Sequence, residues 1–112
     1  MLTLSSSDRR LKTAIADLAA EVDVLAVLAG LHPVAFTWDT SQERAKRLGD
    51  RREIGLIAQE VEAVLPHVVG VAADGTRTLD YAKLTALLIE IAKSQQERID
   101  ALERRLAAGQ AR

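Results

Sequence analysis

The chain has 112 residues, enough for one domain, and its 15 basic and 16 acidic residues leave a net charge of −1. So small a net charge gives no global attraction to nucleic acid or to an anionic membrane. The absence of cysteine excludes disulfides, thiolate catalysis and cysteine-based zinc sites. Because only 3% of the residues are aromatic, the core must be mainly aliphatic, and so thin a core favours oligomerisation.

The N-terminal region is predicted to be helical after a short lead. Residues 1–6 form that lead, and Ser5-Ser6-Ser7-Asp8 is rich in residues that cap a helix. Apolar residues then recur at steps of three and four before Gly30, a spacing typical of one or two helices that begin near Asp8 or Arg9. The stripe consists of Leu11, Ile15, Leu18, Val22, Leu25 and Leu28. Acidic residues interrupt it too often for a membrane span, so we expect a soluble protein.

Short strands and one helix are predicted in the middle of the chain. Val34, Phe36 and Trp38 occupy alternate positions, which places three apolar side chains on one face of a strand. The charged stretch 40–52 is interpreted as an exposed connection, and a β-prone run at 54–58 leads into a helix over 59–65. Residues 68–73 and 76–79 flank Asp74-Gly75, which predicts a β-hairpin with a two-residue turn at positive φ.

A long helix is predicted at the C-terminal end. Asp80 can cap it, and it would run from Tyr81 to about Ala108, before Gly109, over about 42 Å. The apolar residues of this helix follow a nearly heptad spacing with one irregular step after Gln95. Gln95 forms a polar layer that can set the register between the helices. The predicted seam is Leu84, Leu88, Ile91, Gln95, Ile99, Leu102 and Leu106. The whole pattern predicts an α+β fold: a small mixed domain with short strands and a β-hairpin, followed by a helix that forms a parallel coiled coil of two, three or four strands.

Ser7 and Lys12 are the candidate catalytic pair. A serine hydroxyl becomes a strong nucleophile when a base takes its proton, and a lysine serves as that base when burial leaves its amine neutral. On one ideal helix the five-residue separation puts the two side chains about 140° apart, so contact requires Ser7 to lie on the extended lead. Spacing alone favours a plainer interpretation, a helix cap at Ser7-Asp8 and a solvated lysine.

No other group of residues in the sequence indicates a binding site. His32 and His67 each neighbour a proline and belong to no metal-binding spacing, so no metal is expected. The charged stretch 43–53 is basic in part, but acidic residues are interleaved and no aromatic stacking platform lies nearby. A nucleic-acid-binding module is therefore disfavoured.

Four segments in order carry a resemblance to a known family. They are Ser7-Asp8-Arg9-Arg10-Leu11-Lys12, His32-Pro33-Val34-Ala35-Phe36-Thr37-Trp38, residues 54–65, and Asp80-Tyr81-Ala82-Lys83-Leu84 leading into the helix. Together they resemble the intramolecular chaperone auto-processing domain of phage endosialidases, tailspikes and tail fibres, which is also found in myelin regulatory factor. The resemblance covers Ser7 to about Leu106, nearly the whole chain.

The resemblance implies a homotrimeric C-terminal chaperone that helps a fibrous passenger upstream to fold and then releases itself by serine–lysine autoproteolysis. Ser7 is then the nucleophile and Lys12 the general base, and the Ser6–Ser7 bond is cleaved. Candidate neighbours of this site are Asp8, Gln59 and Glu60. The implied function needs no cofactor, metal, nucleic acid or membrane. The resemblance also implies that the protein acts in the host bacterial cytoplasm during virion assembly.

The predicted organisation is a lead at 1–6, a chaperone and auto-processing domain at 7–80, its coiled-coil helix at 81–108 and a tail at 109–112. The family's domain follows a long passenger, whereas six residues precede Ser7 here. An excised domain, a truncated gene and a free-standing relative therefore stay open. The alternative function is a non-cleaving trimeric assembly module, which a Ser7→Ala substitution would leave unchanged.

Overall fold

The computed structural model describes residues 6–110, which form a mixed α+β fold. The helices are α1 (Leu18–Glu21), α2 (Val24–Gly30), α3 (Ala58–Val64) and α4 (Tyr81–Gln110), and the strands are β1 (Val34–Phe36), β2 (Glu53–Gly55), β3 (Val69–Val71) and β4 (Arg77–Leu79). Short 3-10 turns lie at Arg9–Leu11, Glu43–Ala45 and Pro66–Val68. β1 pairs antiparallel with β2, and β3 with β4. The predicted combination of short strands, a hairpin and a long C-terminal helix is confirmed.

The core lies where α2 packs against α3 and against the first half of α4. Leu87 of α4 and Val61 of α3 are each only 1% exposed. The buried cluster consists of Val24, Val27, Val61, Leu65, Val68, Leu84, Leu87 and Ile91. From Gln95 to Gln110 every residue except Ala101 is exposed, so about 24 Å of helix extends beyond the core. The radius of gyration is accordingly 19.1 Å, against about 13 Å for a compact domain of this length.

The N-terminal region differs from the predicted helices. Only one 3-10 turn follows Asp8, and Ala14 has a left-handed backbone with φ of 53°, which an α-helix cannot accommodate. Leu11 and Ile15 are consequently 72% and 58% exposed instead of lying on a buried stripe. Helix α2 starts afresh after Asp23, whose side chain accepts a hydrogen bond from Ala26 N at 3.2 Å.

The hairpin forms as predicted, but with a longer loop. Ala72 N donates to Thr76 O at 2.8 Å and Gly75 N donates to Ala72 O at 2.9 Å, which leaves three residues in the loop instead of two. Of the central pair Asp74-Gly75, only Gly75 has a positive φ, 87°, as expected where a tight turn is followed by one left-handed residue. Trp38 lies beyond the end of β1 and is 39% exposed, so it does not share the strand as expected.

Helix α4 begins where the sequence predicts. The Asp80 carboxylate accepts hydrogen bonds from Ala82 N at 3.1 Å and Lys83 N at 3.3 Å, which caps the helix. The helix continues through Gly109 to Gln110, two residues past the predicted end. Its 30 residues correspond to about 45 Å.

Candidate functional site

The N-terminal segment brings Ser7 and Lys12 together across a single turn. Leu11 N donates to Asp8 O and Lys12 N donates to Arg9 O, each at 3.0 Å, and this closes the 3-10 turn. Asp8 and Lys12 on either side have extended backbones. Because the chain leaves the turn at once, the 140° separation of an ideal helix does not apply, and Lys12 Nζ donates to Ser7 Oγ at 2.8 Å.

The pair is open to solvent in the single chain. Ser6, Ser7 and Lys12 are all exposed, and within residues 6–110 no hydrogen bond or ion pair joins the segment 6–16 to another element. A lysine acts as a base only as a neutral amine, which a desolvated environment favours. The geometry therefore supplies the contact that a serine–lysine dyad needs, while the described residues leave both side chains exposed.

Asp8 and Arg10 form a second contact within the same turn. Arg10 Nε donates to Asp8 Oδ1 at 3.1 Å and Arg10 Nη2 donates to Asp8 Oδ2 at 2.9 Å, while Arg10 N also donates to Asp8 Oδ1 at 2.8 Å. These hydrogen bonds, the side-chain ones first, lower the pKa of the Asp8 carboxyl below its ordinary value. Asp8 therefore caps the turn, in agreement with the cap that the sequence predicts at Ser7-Asp8.

Gln59 and Glu60 are not brought to Ser7 or Lys12 by any hydrogen bond or ion pair in the described part of the chain. Glu60 Oε1 lies 3.7 Å from His32 Nδ1, an exposed pair between α3 and the loop before β1. Gln59 instead lines a cleft of about 650 Å³ beside the two sheets. Both residues stay predicted neighbours of the site without a contact that supports them.

That cleft is a surface which the sequence did not indicate. Phe36 and Trp38 line it with their rings perpendicular and their centroids 4.9 Å apart, and Tyr81 also lines it. Arg44 and Arg77 at its edge are paired with Asp74 at 3.5 Å and Glu62 at 3.3 Å. The chain has three aromatic residues, and Phe36 and Trp38, which lie two positions apart, are joined in the cleft by the distant Tyr81.

The predicted coiled-coil seam divides into two faces of α4. Leu84 and Ile91 are 6% and 4% exposed in the core of the same chain, so they are not available to a second helix. Leu87, which the predicted seam omitted, belongs to this buried face. The remaining predicted members are exposed: Leu88 (55%), Gln95, Ile99 (47%), Leu102 (56%) and Leu106 (65%).

The exposed face has a more regular spacing than the predicted seam. When exposed Ala92 takes the place of Ile91, the steps between positions become four, three, four, three and four. The resulting set, which we call the outer stripe, is Leu88, Ala92, Gln95, Ile99, Leu102 and Leu106. This is a heptad repeat without the irregular step, with Ala92, Ile99 and Leu106 at a positions.

Within residues 6–110, no group of three or more His, Asp or Glu side chains is placed to hold a metal ion. No helix in this part of the chain is both long and apolar enough to cross a membrane.

A protein-family profile matches residues 7–70, which contain the Ser7–Lys12 contact, helices α1 to α3 and most of β3. The family is described as the chaperone of endosialidase, and this chain belongs to it. It is a family of self-cleaving serine peptidase-like domains. The resemblance seen in the sequence is therefore confirmed.

One relative is long tail fiber protein Gp37 of Salmonella phage S16. It is 37% identical over 107 residues, which cover 90% of this chain and 14% of the relative's length. About a tenth of this chain lies outside the alignment, so the alignment includes most of α4. The family profile, by contrast, ends at residue 70, before α4 begins. The chain thus spans a small part of the relative that it matches.

Proposed function

We propose that this chain is the C-terminal intramolecular chaperone of a phage tail fibre or tailspike-type protein. It trimerises, assists folding of the fibrous passenger upstream, and releases itself by cleavage between Ser6 and Ser7. The observation that carries the proposal is the 2.8 Å contact between Lys12 Nζ and Ser7 Oγ in a domain of the endosialidase chaperone family. The tail fiber relative supports a fibrous partner in the same chain and action in the host cell during virion assembly.

The proposed cleavage is a reaction within one chain. Neutral Lys12 Nζ takes the hydroxyl proton of Ser7, and Oγ attacks the carbonyl carbon of Ser6. This carbonyl belongs to the residue directly before the serine, so the attack closes a small ring and gains from proximity. The C–N bond between Ser6 and Ser7 then breaks, and the Ser7 nitrogen leaves with the proton that Lys12 had taken. Water hydrolyses the resulting ester to a Ser6 carboxylate and a restored Ser7 hydroxyl.

The exposure of the dyad supports a link between cleavage and assembly. Ser7 and Lys12 are exposed in the described chain, and a lysine acts as a general base only as a neutral amine, which a desolvated environment favours. Coverage by the passenger or by a neighbouring chain would favour the neutral amine. Cleavage would then follow assembly, and removal of the aligning element would make the assembled passenger hard to take apart.

The outer stripe of α4 supports assembly through a parallel coiled coil. Its repeat places Arg98 at a g position and Glu103 at the following e position. In a parallel coiled coil these two positions face each other across neighbouring helices, so opposite charges would meet. Joining three chains at one end raises the local concentration of their passenger segments before those segments fold.

A non-cleaving assembly module is the second candidate function. The outer stripe favours it as strongly as the first, and the exposed contact between Ser7 and Lys12 is compatible with either function. Under this alternative the chain would trimerise fibres or cap them, and the Ser7–Lys12 contact would only close the N-terminal turn.

The test is expression of the chain behind a trimeric fibrous passenger, followed by intact-mass measurement and N-terminal sequencing of any released fragment. We expect a fragment that begins at Ser7 in the unaltered fusion and none in the Ser7→Ala and Lys12→Ala fusions. Lys46→Ala is the matched control, because Lys46 is exposed and paired with Glu43 at 2.7 Å, away from the turn. If every fusion stays whole while oligomers form, the assembly module replaces the self-cleaving chaperone.

A further inference from the structure

The N-terminal segment, residues 6–16, carries two large apolar side chains that its own domain leaves uncovered. Leu11 and Ile15 are both exposed. Within the described chain, the hydrogen bonds and the ion pair of this segment all join residues of the segment itself. Removing apolar side chains from water is favourable, so the segment gains free energy when another surface covers Leu11 and Ile15.

The cleft beside the two sheets, which we call the aromatic cleft, is an apolar surface of matching chemistry. Leu48 and Tyr81 are half exposed where they line it, and Trp38 is partly exposed. The two cations at its edge, Arg44 and Arg77, are each paired with a carboxylate of the same domain. Because both charges are already paired, the aromatic cleft suits an apolar occupant better than an anionic ligand. Its volume of about 650 Å³ lies within the range of about 300–1,000 Å³ that is usual for binding sites.

The aromatic cleft is continuous with the outer stripe of α4. Tyr81, which lines the cleft, lies seven residues before Leu88 and therefore holds the d position one heptad earlier. Thr85, at the a position between them, is also exposed. A second copy of the chain that joins along the outer stripe would therefore lie beside the cleft.

The place where the N-terminal segment leaves α4 puts it within reach of a neighbouring copy. Helix α1 contacts α4, and its residues line one cavity together with Ser94. Ser94 lies on the same face as Ile91, a g position, and g positions face the neighbouring helix in a parallel coiled coil. Ser94 is about 20 Å along α4 from Tyr81. The chain from Leu11 to Leu18 spans up to about 25 Å when extended, so it is long enough to cover this distance.

We propose that residues 6–16 of one chain dock in the aromatic cleft of a second copy, with Leu11 and Ile15 as the anchoring side chains. The inference rests on the proposed function, because it needs the coiled coil that brings the copies together. In a trimer each chain gives its segment to one neighbour and receives a segment from the other, which closes a ring. The candidate dyad enters this interface with its segment, and the neighbouring chain supplies Gln59 of the cleft to it.

Disulfide trapping tests the contact, since the chain contains no cysteine. Chains with Leu11→Cys are coexpressed with chains that carry Leu48→Cys and a tag that raises their mass, and the oxidised products are separated on a denaturing gel without reductant. We expect a linked pair of one untagged and one tagged chain. Ile54→Cys in place of Leu48→Cys is the matched control, because Ile54 is 86% exposed but does not line the cleft. No linked pair, or an equal yield with Ile54→Cys, overturns the proposal.

A chain that carries both Leu11→Cys and Leu48→Cys shows whether the segment instead folds back on its own cleft. Docking between copies predicts linked oligomers from this variant. A link confined to single chains, seen as a product of monomer mass that loses its free thiols, overturns the proposal.

Trp38 provides a second measurement without a crosslink, because it is the only tryptophan of the chain. As association covers the cleft, its fluorescence emission should shift to shorter wavelength along a concentration series. Leu11→Asp should abolish this shift and leave the oligomer mass from light scattering unchanged, since the outer stripe is intact. Ala16→Asp, the same charge at another exposed position of the segment, should keep the shift. An oligomer whose emission does not shift, or equal loss in both variants, contradicts the docking.

Cleavage of the passenger fusion separates this inference from the proposed function. Linked pairs without any cleavage reject the self-cleaving function and leave the docking standing. Cleavage without linked pairs overturns the docking and leaves the proposed function standing. If the unaltered chain stays monomeric in light scattering, the docking and the proposed assembly are both wrong.

Discussion

The Tyr81 hydroxyl accepts a hydrogen bond from Leu56 N at 3.1 Å and thereby joins the first turn of α4 to the residue after β2. The same hydroxyl occupies the space beside Gly55. A Cβ at position 55 would lie 2.8 Å from Tyr81 Oη and 3.3 Å from the Phe36 ring. A glycine at this position therefore permits the close approach of α4 to the β1–β2 sheet.

We expect Tyr81→Phe to lower the free energy of unfolding by about 1 kcal/mol, because it removes this hydrogen bond. Gly55→Ala should destabilise the fold by displacing the same hydroxyl. The double variant should lose less free energy of unfolding than the two single losses added together, since both changes remove one shared contact. Urea denaturation at a fixed protein concentration measures the three values, and strictly additive effects would contradict the shared contact.

The features that were predictable from the sequence depend on neighbours in the chain. The cap of α4 at Asp80 and the hairpin at Gly75 are set by residues a few positions apart, so local patterns identify them. The Ser7–Lys12 pair is also local, and a motif indicates it. In the N-terminal region, by contrast, the helical spacing of apolar residues continues across Ala14, whose left-handed backbone interrupts the helix without any glycine or proline to indicate it.

The two faces of α4 were not predictable for a different physical reason. The buried face, Leu84, Leu87 and Ile91, and the outer stripe both recur at steps of three and four. Spacing alone cannot decide which face the rest of the domain covers. The predicted seam includes Ile91, whereas the structure buries that side chain in the core.

The division between the two faces predicts different defects for adjacent residues. Ile91→Ala should lower the free energy of unfolding by about 2 to 5 kcal/mol, because it leaves a cavity in the core. Ala92→Leu should leave the fold of the single chain intact and strengthen association, since a larger a-position side chain fills the seam. Thermal unfolding and sedimentation equilibrium separate the two effects. Weaker association in Ala92→Leu, without unfolding, would place the seam elsewhere.

The outer stripe itself is tested by a charge in its distal half. Leu102→Asp should reduce the oligomer to monomers, because a buried unpaired carboxylate in the seam is strongly unfavourable. Ala107→Asp adds the same charge one position after the seam residue Leu106 and should leave the assembly intact. Light scattering coupled to size-exclusion chromatography gives the mass of each. Equal masses for the two variants would show that the stripe does not hold the oligomer together.

The hairpin loop predicts a dependence of stability on acid pH. Hydrogen bonds from the Thr76 hydroxyl and backbone N–H, in that order, lower the pKa of Asp74, and Arg44 adds to the effect. The contribution of a carboxyl with a lowered pKa is fully present above the unfolded value of about 3.9 and is lost as pH falls through the folded value. Asp74→Ala should therefore lower the melting temperature at neutral pH and flatten its decline below about pH 4. If the melting temperature of Asp74→Ala falls below about pH 4 as steeply as that of the unaltered chain, the loss of stability in acid comes from other carboxyls.

The proposed pairing of Arg98 with Glu103 predicts the direction of the helices in the proposed oligomer. In a parallel coiled coil Arg98→Glu brings like charges together and should weaken association, and so should Glu103→Arg. The double reversal restores opposite charges between neighbouring chains and should recover association to within a few tenths of a kcal/mol of the unaltered chain, as expected for exposed ion pairs. Sedimentation equilibrium at low salt gives the three association constants, and the differences should shrink as ionic strength rises. In an antiparallel arrangement these g and e positions do not face each other, so the double reversal would show no recovery beyond the sum of the single changes.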